Sequence, residues 1–106
     1  MKSTPIILML TTTLVASQAF AQAAVPNPAE QGRDLYETNC LTCHGPDMIN
    51  PGTVSYDLRK FPADAKARFV NSVVNGKGQG MPAWRGVVTP PEVDQLWAYV
   101  LTRGKL

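Results

Sequence analysis

The chain has 106 residues and a formal net charge of +2, which is the length of a single domain. Charged residues make up 17% of it, below the roughly 25% of ordinary soluble domains. No run of about five or more basic residues occurs, which argues against a nucleic-acid-binding protein. The 44% share of apolar residues argues against disorder. Two cysteines and a single histidine limit any metal or redox site to a small set of side chains.

Residues 1–23 are typical of a secretory signal peptide. Lys2 gives the positive start, an apolar stretch follows over residues 6–15, and small residues at 19–23 form two candidate cleavage sites. The alternative is an uncleaved membrane anchor, but such a span needs about 20 mostly apolar residues and this run is about half as long. We therefore expect residues 24–106 to be the mature domain, without a membrane span.

Cys40, Cys43 and His44 have the spacing C-x-x-C-H, which is the attachment signature of c-type haem. Two thiols a short turn apart can add to the two vinyl groups on one side of a porphyrin, and the next residue is then held beneath the iron. The motif therefore predicts one covalent haem c, attached through Cys40 and Cys43 with His44 as a ligand of the iron. Such haem is attached outside the bacterial cytoplasm, which agrees with the signal peptide and predicts a periplasmic protein.

Three other interpretations of the cysteines are open. A thioredoxin-like redox pair would lie near a βαβ pattern, and the sequence shows no such alternation. A structural zinc site needs four ligands as a rule, and two cysteines with one histidine fall short. A disulfide between Cys40 and Cys43 would suit an exported chain, but it gives His44 no role. Haem attachment accounts for all three residues.

Met81 is the predicted second axial ligand of the iron. The mature chain has two methionines, and Met48 lies only four residues after His44, which is too close to reach the opposite haem face. Met81 lies 37 residues after His44, in a segment over residues 75–84 whose three glycines let it approach a flat cofactor closely. Pro82 follows it and favours an extended backbone at the methionine.

The sequence predicts an all-α domain of about three helices and long loops around the haem. The first helix runs from about Pro28 into the haem motif, with Gly32 and Tyr36 on one face. The second runs from about Pro62 to Asn75, where apolar residues recur at helical spacing. Adjacent valines in it would also suit a strand, but the alanines near its start favour a helix.

The third helix has the strongest start signal. Thr89 and Glu92 have the spacing of a capping box, and a proline occupies the first helical position. Apolar residues then recur along one helical face up to Gly104, which ends the pattern. The stretch between His44 and Phe61 shows no period and is predicted to be loop. The apolar stripe of the third helix consists of Val93, Leu96, Trp97, Val100 and Leu101.

Four motifs resemble those of a class I c-type cytochrome, and the resemblance covers residues 28–103. They are Gly32 with Tyr36, the C-x-x-C-H motif, Met81 with Pro82, and the run from Leu96 to Val100. The resemblance implies the cytochrome c fold. It also implies that a backbone carbonyl accepts the Nδ1 proton of His44, and Pro51 is the candidate, although the family more often has Gly-Pro there.

The same resemblance implies that the first and last helices cross at right angles. Gly32 and Tyr36 would then contact Leu96 and Tyr99. A glycine at this point allows the other helix to come close, so we expect the crossing to be tight.

A narrower resemblance is to small periplasmic cytochromes that accept electrons from quinoprotein alcohol dehydrogenases. It rests on short motifs at residues 55–59, 76–78, 81–84 and 96–99. It implies such a dehydrogenase as electron donor and a terminal oxidase further along the chain of electron transfer. Four cations near the Met81 loop are expected to steer an acidic partner: Lys77, Arg85, Arg59 and Lys60.

A haem iron with both axial positions filled has no place for substrate or dioxygen. We therefore expect a soluble, monomeric one-electron carrier and not an enzyme. One alternative is a haem enzyme or gas sensor in which Met81 is displaced, although the only histidine is already used. Another alternative is a cytochrome subunit of an oxidoreductase complex.

Overall fold

The computed structural model describes residues 14, 16 and 19–106, so most of the predicted signal peptide, residues 1–23, lies outside the described residues. The described part contains four α-helices and no extended strand, which confirms the all-α prediction. No helix in it is long and apolar enough to cross a membrane. The helices are α1 (Pro28–Asn39), α2 (Leu41–His44), α3 (Lys66–Asn75) and α4 (Pro90–Leu101). Two short 3-10 helices, Pro46–Met48 and Leu58–Lys60, lie between α2 and α3.

The chain enters the haem motif directly from α1. The side chain of Asn27 accepts a hydrogen bond from the backbone N–H of Ala29 at 2.9 Å, which caps the start of the helix. α1 ends at Asn39, and α2 starts one residue later, after Cys40. The single helix predicted here is therefore two helices joined at the first cysteine of the motif.

α3 begins at Lys66, four residues later than predicted. Ala65 has φ −108° and ψ 35°, outside the helical region, so the helix cannot extend backwards through it. The N–H of Ala65 instead bonds to the carbonyl of Pro62 at 3.1 Å and closes a turn. α3 ends at Asn75, and Gly76 follows with φ 75°, which confirms the predicted C-terminal glycine.

α4 begins at its predicted cap. The backbone N–H of Thr89 donates to Glu92 Oε2 at 2.7 Å, and the Thr89 hydroxyl donates to the same oxygen at 2.8 Å. These two bonds stabilise the carboxylate and hold the pKa of Glu92 below its usual range.

Leu101, predicted in the apolar stripe, is 40% exposed, whereas Tyr99 is buried in its place. The buried face consists of Val93, Leu96, Trp97, Tyr99 and Val100.

Replacing Thr89 by alanine is expected to lower the free energy of unfolding by about 1 kcal/mol at neutral pH, because the helix loses its cap. The pKa of Glu92 is lower in the folded state than in the unfolded state, so the stability that its carboxylate contributes is fully present above the unfolded pKa. This stability is lost as the pH falls through the folded pKa. The difference between parent and variant should therefore shrink in acid. Urea unfolding at neutral and acidic pH measures it, with Thr38→Ala on the exposed side of α1 as the control.

α1 and α4 pack against each other at Gly32. A Cβ atom built on Gly32 would lie 2.5 Å from the carbonyl carbon of Gln95 and 3.0 Å from the Cβ of Tyr99, so only glycine allows this approach. The rings of Tyr36 and Tyr99 meet beside it, with centroids 5.2 Å apart. Gln95 Nε2 also donates to Gln31 Oε1 at 2.8 Å. The predicted close contact of the first and last helices is confirmed.

An aromatic cluster lies on the other side of α4. Phe61 meets Phe69 and Trp97 edge-on, with centroids 5.7 and 5.9 Å away, and Phe69 and Trp97 are 5.1 Å apart. The Arg103 guanidinium donates to the carbonyl of Phe61 at 2.7 Å, so the end of the chain holds this segment against α4. The cluster joins α3, α4 and the segment that follows the haem motif.

Candidate functional site

Two cavities lie next to each other between the haem motif, α3 and the loop that carries Met81. Their volumes are about 350 and 300 Å³. Cys40, His44, Tyr56, Lys77 and Met81 line both, so we describe the two together as the crevice. Cys43 lines the smaller cavity. The structure thus brings all four predicted site residues to the walls of one crevice.

The walls of the larger cavity are mostly apolar and aromatic, which suits a flat apolar ligand. They come from α1, α3, α4 and the segment before α3. Thiols, an imidazole and a thioether at such a crevice are the side chains that hold a c-type haem, so the residues present fit this group. The apolar wall residues are Tyr36, Leu58, Phe61, Phe69, Val73, Leu96 and Val100.

Cys40 and Cys43 do not form a disulfide with each other. Cys43 is exposed and Cys40 is partly buried. Burial, with the neighbouring Cys43 as a smaller cause, raises the pKa of Cys40 to about 11. A thioredoxin-like redox pair would lie near a βαβ unit. The described part of the chain has no such unit, which argues against this interpretation.

The ring of His44 is oriented by a backbone carbonyl. Its Nδ1 lies 3.1 Å from the carbonyl oxygen of Tyr56. The prediction that Pro51 supplies this carbonyl is wrong, because the chain turns after Pro51 and returns to the ring five residues later. Burial lowers the pKa of His44, and the bond to Tyr56 opposes this effect. A neutral ring that donates from Nδ1 leaves Nε2 free for a metal.

Met81 closes a short loop at the end of α3. Its N–H and carbonyl pair with those of Lys77, at 3.2 and 2.9 Å. The N–H of Trp84 then bonds to the carbonyl of Val73 at 2.9 Å, which fixes the segment after Met81 to the last turn of α3. Met48, in contrast, is fully buried in the core and is not among the residues that line the crevice.

Tyr56 and Arg68 are the crevice residues that the sequence analysis missed. The Arg68 guanidinium lies over the Phe61 ring, 4.7 Å from its centroid, at the edge of the larger cavity. Tyr56 contributes its backbone carbonyl, and no side-chain pattern can reveal such a role. Arg68 lies four residues before Ser72, which also lines the larger cavity, and this spacing on α3 was the available signal for the arginine.

The four predicted steering cations differ in their surroundings. Arg59 pairs with Asp57 at 2.9 Å, and Arg85 donates to Asn75 Oδ1 at 2.9 Å. Lys77 is exposed, lines the crevice, and makes no ion pair within the described part of the chain. Lys77 is therefore the cation best placed to act on an approaching partner.

The sequence of the chain is similar to those of known cytochromes. The family described as "Cytochrome C oxidase, cbb3-type, subunit III" matches residues 27–100, which include the C-x-x-C-H motif and Met81. Cytochrome c6 of Euglena gracilis is 36% identical over 81 residues, which cover 68% of this chain and 88% of that protein. No solved structure matches the chain at a significant level.

Two longer relatives contain a similar stretch. Quinohemoprotein alcohol dehydrogenase ADH IIB of Pseudomonas putida is 34% identical over 82 residues, 76% of this chain and 12% of that protein. The cbb3-type cytochrome c oxidase subunit FixP of Azorhizobium caulinodans is 31% identical over 81 residues, 72% of this chain and 27% of that protein. The chain thus spans only a small part of these two relatives.

Proposed function

Because this chain belongs to the cytochrome c family and is a small c-type cytochrome, we propose that it is a soluble, monomeric, periplasmic one-electron carrier whose haem has a histidine and a methionine ligand. The covalently bound haem c supplies the exchange of one electron at its iron. Membership of the family establishes electron transfer. The axial ligands of the iron, the periplasmic location and the redox partners are proposals.

Cys40 and Cys43 are the proposed points of attachment, His44 the proximal ligand and Met81 the distal ligand. One observation carries this assignment: His44 and Met81 line the same crevice, although 37 residues separate them in the chain. The bond to the Tyr56 carbonyl supports it, because it leaves Nε2 of His44 as the free ring nitrogen. The burial of Met48 in the core supports Met81 as the methionine ligand.

This ligand set favours a carrier over an enzyme. With His44 and Met81 on the iron, no axial position is open to a substrate or to dioxygen. A methionine ligand also stabilises the ferrous state and raises the potential. The apolar crevice excludes water from the haem, so little has to rearrange when the charge of the iron changes.

Two measurements on the purified haem protein test the proposed function. The ferric protein should be low-spin, with the far-red charge-transfer band of methionine ligation, and carbon monoxide should leave the ferrous spectrum unchanged. A quinoprotein alcohol dehydrogenase supplied with its alcohol should reduce the haem rapidly. A high-spin spectrum with rapid carbon monoxide binding would instead favour the gas-sensor or enzyme alternative.

The proposed electron donor is a quinoprotein alcohol dehydrogenase, and the proposed acceptor is a terminal oxidase. The similarity to quinohemoprotein alcohol dehydrogenase ADH IIB and to the oxidase subunit FixP supports both classes of partner. An identity of 32% over 78 residues to the 1-butanol dehydrogenase (cytochrome c) of Thauera butanivorans supports the donor class further. In these relatives the similar stretch is one part of a longer chain. The reduction experiment therefore supplies the dehydrogenase as a separate protein, which has to dock with this domain to reduce its haem.

Reduction by the dehydrogenase is expected to slow as the salt concentration rises, with a flatter slope in the Lys77→Gln variant. Lys77 is exposed at the crevice, and attraction to an acidic partner is screened beyond about 8 Å at physiological salt. Second-order rate constants over a salt series measure the effect. Lys105→Gln is the matched control, because it removes the same charge from an exposed lysine that does not line the crevice. A rate that does not change with salt in the parent or in either variant would indicate docking through apolar contacts.

A further inference from the structure

A small turn after the haem motif contacts that motif at two points. The hydroxyl of Thr53 donates to the carbonyl of Cys43 at 2.9 Å, and the carbonyl of Tyr56 accepts from Nδ1 of His44 at 3.1 Å. The two contacts hold neighbouring residues of the motif, one through its backbone and the other through its ring. Residues 50–55 must therefore keep a fixed shape for both contacts to exist together.

Asn50 makes the hydrogen bonds that give this turn its shape. Its Oδ1 accepts from the backbone N–H groups of Gly52 and Thr53, both at 2.9 Å. Its amide nitrogen donates to the carbonyl of Ser55, the residue before Tyr56. One partly buried side chain thus links the start, the middle and the end of the turn.

The turn has few contacts with the hydrophobic core. Pro51, Gly52 and Thr53 are exposed, and no apolar side chain of residues 51–55 belongs to that core. The Tyr56 ring packs edge-on against Phe61, with centroids 6.1 Å apart, and fixes the residue after the turn. Within the turn itself, the hydrogen bonds of Asn50 connect Thr53 to the residue before Tyr56.

We propose that Asn50 is a positioning residue for His44, acting through the turn of residues 50–55 and the carbonyl of Tyr56. A carbonyl that accepts from Nδ1 fixes the imidazole ring and makes its other nitrogen a stronger donor to a metal. A stronger donor stabilises the ferric state, so loosening the turn raises the reduction potential. This inference rests on the proposed ligation of the haem iron by His44.

The test compares the purified haem proteins of the parent, Asn50→Ala and Thr53→Val. In both variants we expect the Nδ1 proton of His44 to exchange with solvent about fivefold faster or more, measured by NMR of the ferrous protein. The reduction potential should rise in both. Thr53→Ser keeps the hydroxyl and should restore the parent values. Asn71→Ala removes a hydrogen-bonded asparagine amide on the exposed side of α3, away from the crevice, and should change neither quantity.

The outcomes separate this inference from the proposed function. If the parent protein lacks the ring signals of an iron-bound histidine, the ligation by His44 is wrong. If those signals are present and both variants keep the exchange rate and the potential of the parent, Asn50 has no positioning role. A lower melting temperature in Asn50→Ala with an unchanged potential and exchange rate would show a purely structural role and would also overturn the inference. Thr53→Val keeps the test decisive should Asn50→Ala fail to fold.

Discussion

Replacing Gly32 by alanine is expected to destabilise the protein by about 2–3 kcal/mol, a large part of the roughly 5–15 kcal/mol of a domain. The added Cβ would lie 2.5 Å from the carbonyl carbon of Gln95, which belongs to the backbone of α4 and cannot rotate away. The helices must therefore separate, and the contact between the Tyr36 and Tyr99 rings weakens with them. Thermal and urea unfolding of the haem protein measure the loss.

Close packing and helix propensity predict opposite changes in stability for Gly32→Ala. Alanine is the better helix former, and by propensity alone it would stabilise α1 by about 0.5–1 kcal/mol relative to glycine. A more stable Gly32→Ala variant would therefore contradict the close packing of α1 on α4. Thr38→Ala on the exposed side of α1 is the control, and it should change stability by less than about 0.5 kcal/mol.

Replacing Met81 by alanine is expected to abolish the low-spin spectrum and to lower the reduction potential. Met81 lines both cavities of the crevice from a loop that is paired with Lys77, so its thioether is held where the proposed distal ligand must lie. Without it the iron loses the ligand that stabilises the ferrous state. Visible spectra and a redox titration measure both changes, and carbon monoxide should now bind to the ferrous variant.

Met48→Leu is the matched control for Met81→Ala. Met48 is fully buried and lies in the hydrophobic core, so a leucine of similar volume should leave the spectrum and the potential unchanged and cost less than about 1.5 kcal/mol of stability. If Met48→Leu changed the spectrum and Met81→Ala did not, the proposed distal ligand would be wrong.

The helices could be predicted because their signals are local. The spacing of Thr89 and Glu92 predicts a capping box. The structure contains both of its bonds, from the Glu92 N–H to the Thr89 hydroxyl oxygen and from the Thr89 N–H to the Glu92 carboxylate. The position of Gly32 predicted a close helix crossing, since a missing side chain has few other uses on a buried helix face. The late start of α3 was missed because the backbone of Ala65, and not its side-chain type, breaks the helix.

Of the residues that line the crevice, the sequence predicted those whose side chains would bind the haem. The haem motif and Met81 are distinctive residue types, so their lining of one crevice could be expected from the sequence. The carbonyl that holds His44 could not, because every residue has one and only the path of the chain selects it. That path runs through a turn whose hydrogen bonds are made by Asn50, a residue that belongs to no periodic pattern.

The contact between α1 and α4 has a consequence for the rate of folding. The hydrogen bond between Gln31 and Gln95 joins residues 64 apart, and closing a flexible loop of that length costs about 4 kcal/mol of chain entropy. A haem bound to Cys40 and to Met81 would bridge the middle of this loop. Only nine residues from Gln31 to Cys40 and fourteen from Met81 to Gln95 would then remain flexible, which lowers the closure cost by about 1 kcal/mol. Refolding should therefore be faster when the methionine is on the iron before the terminal helices meet.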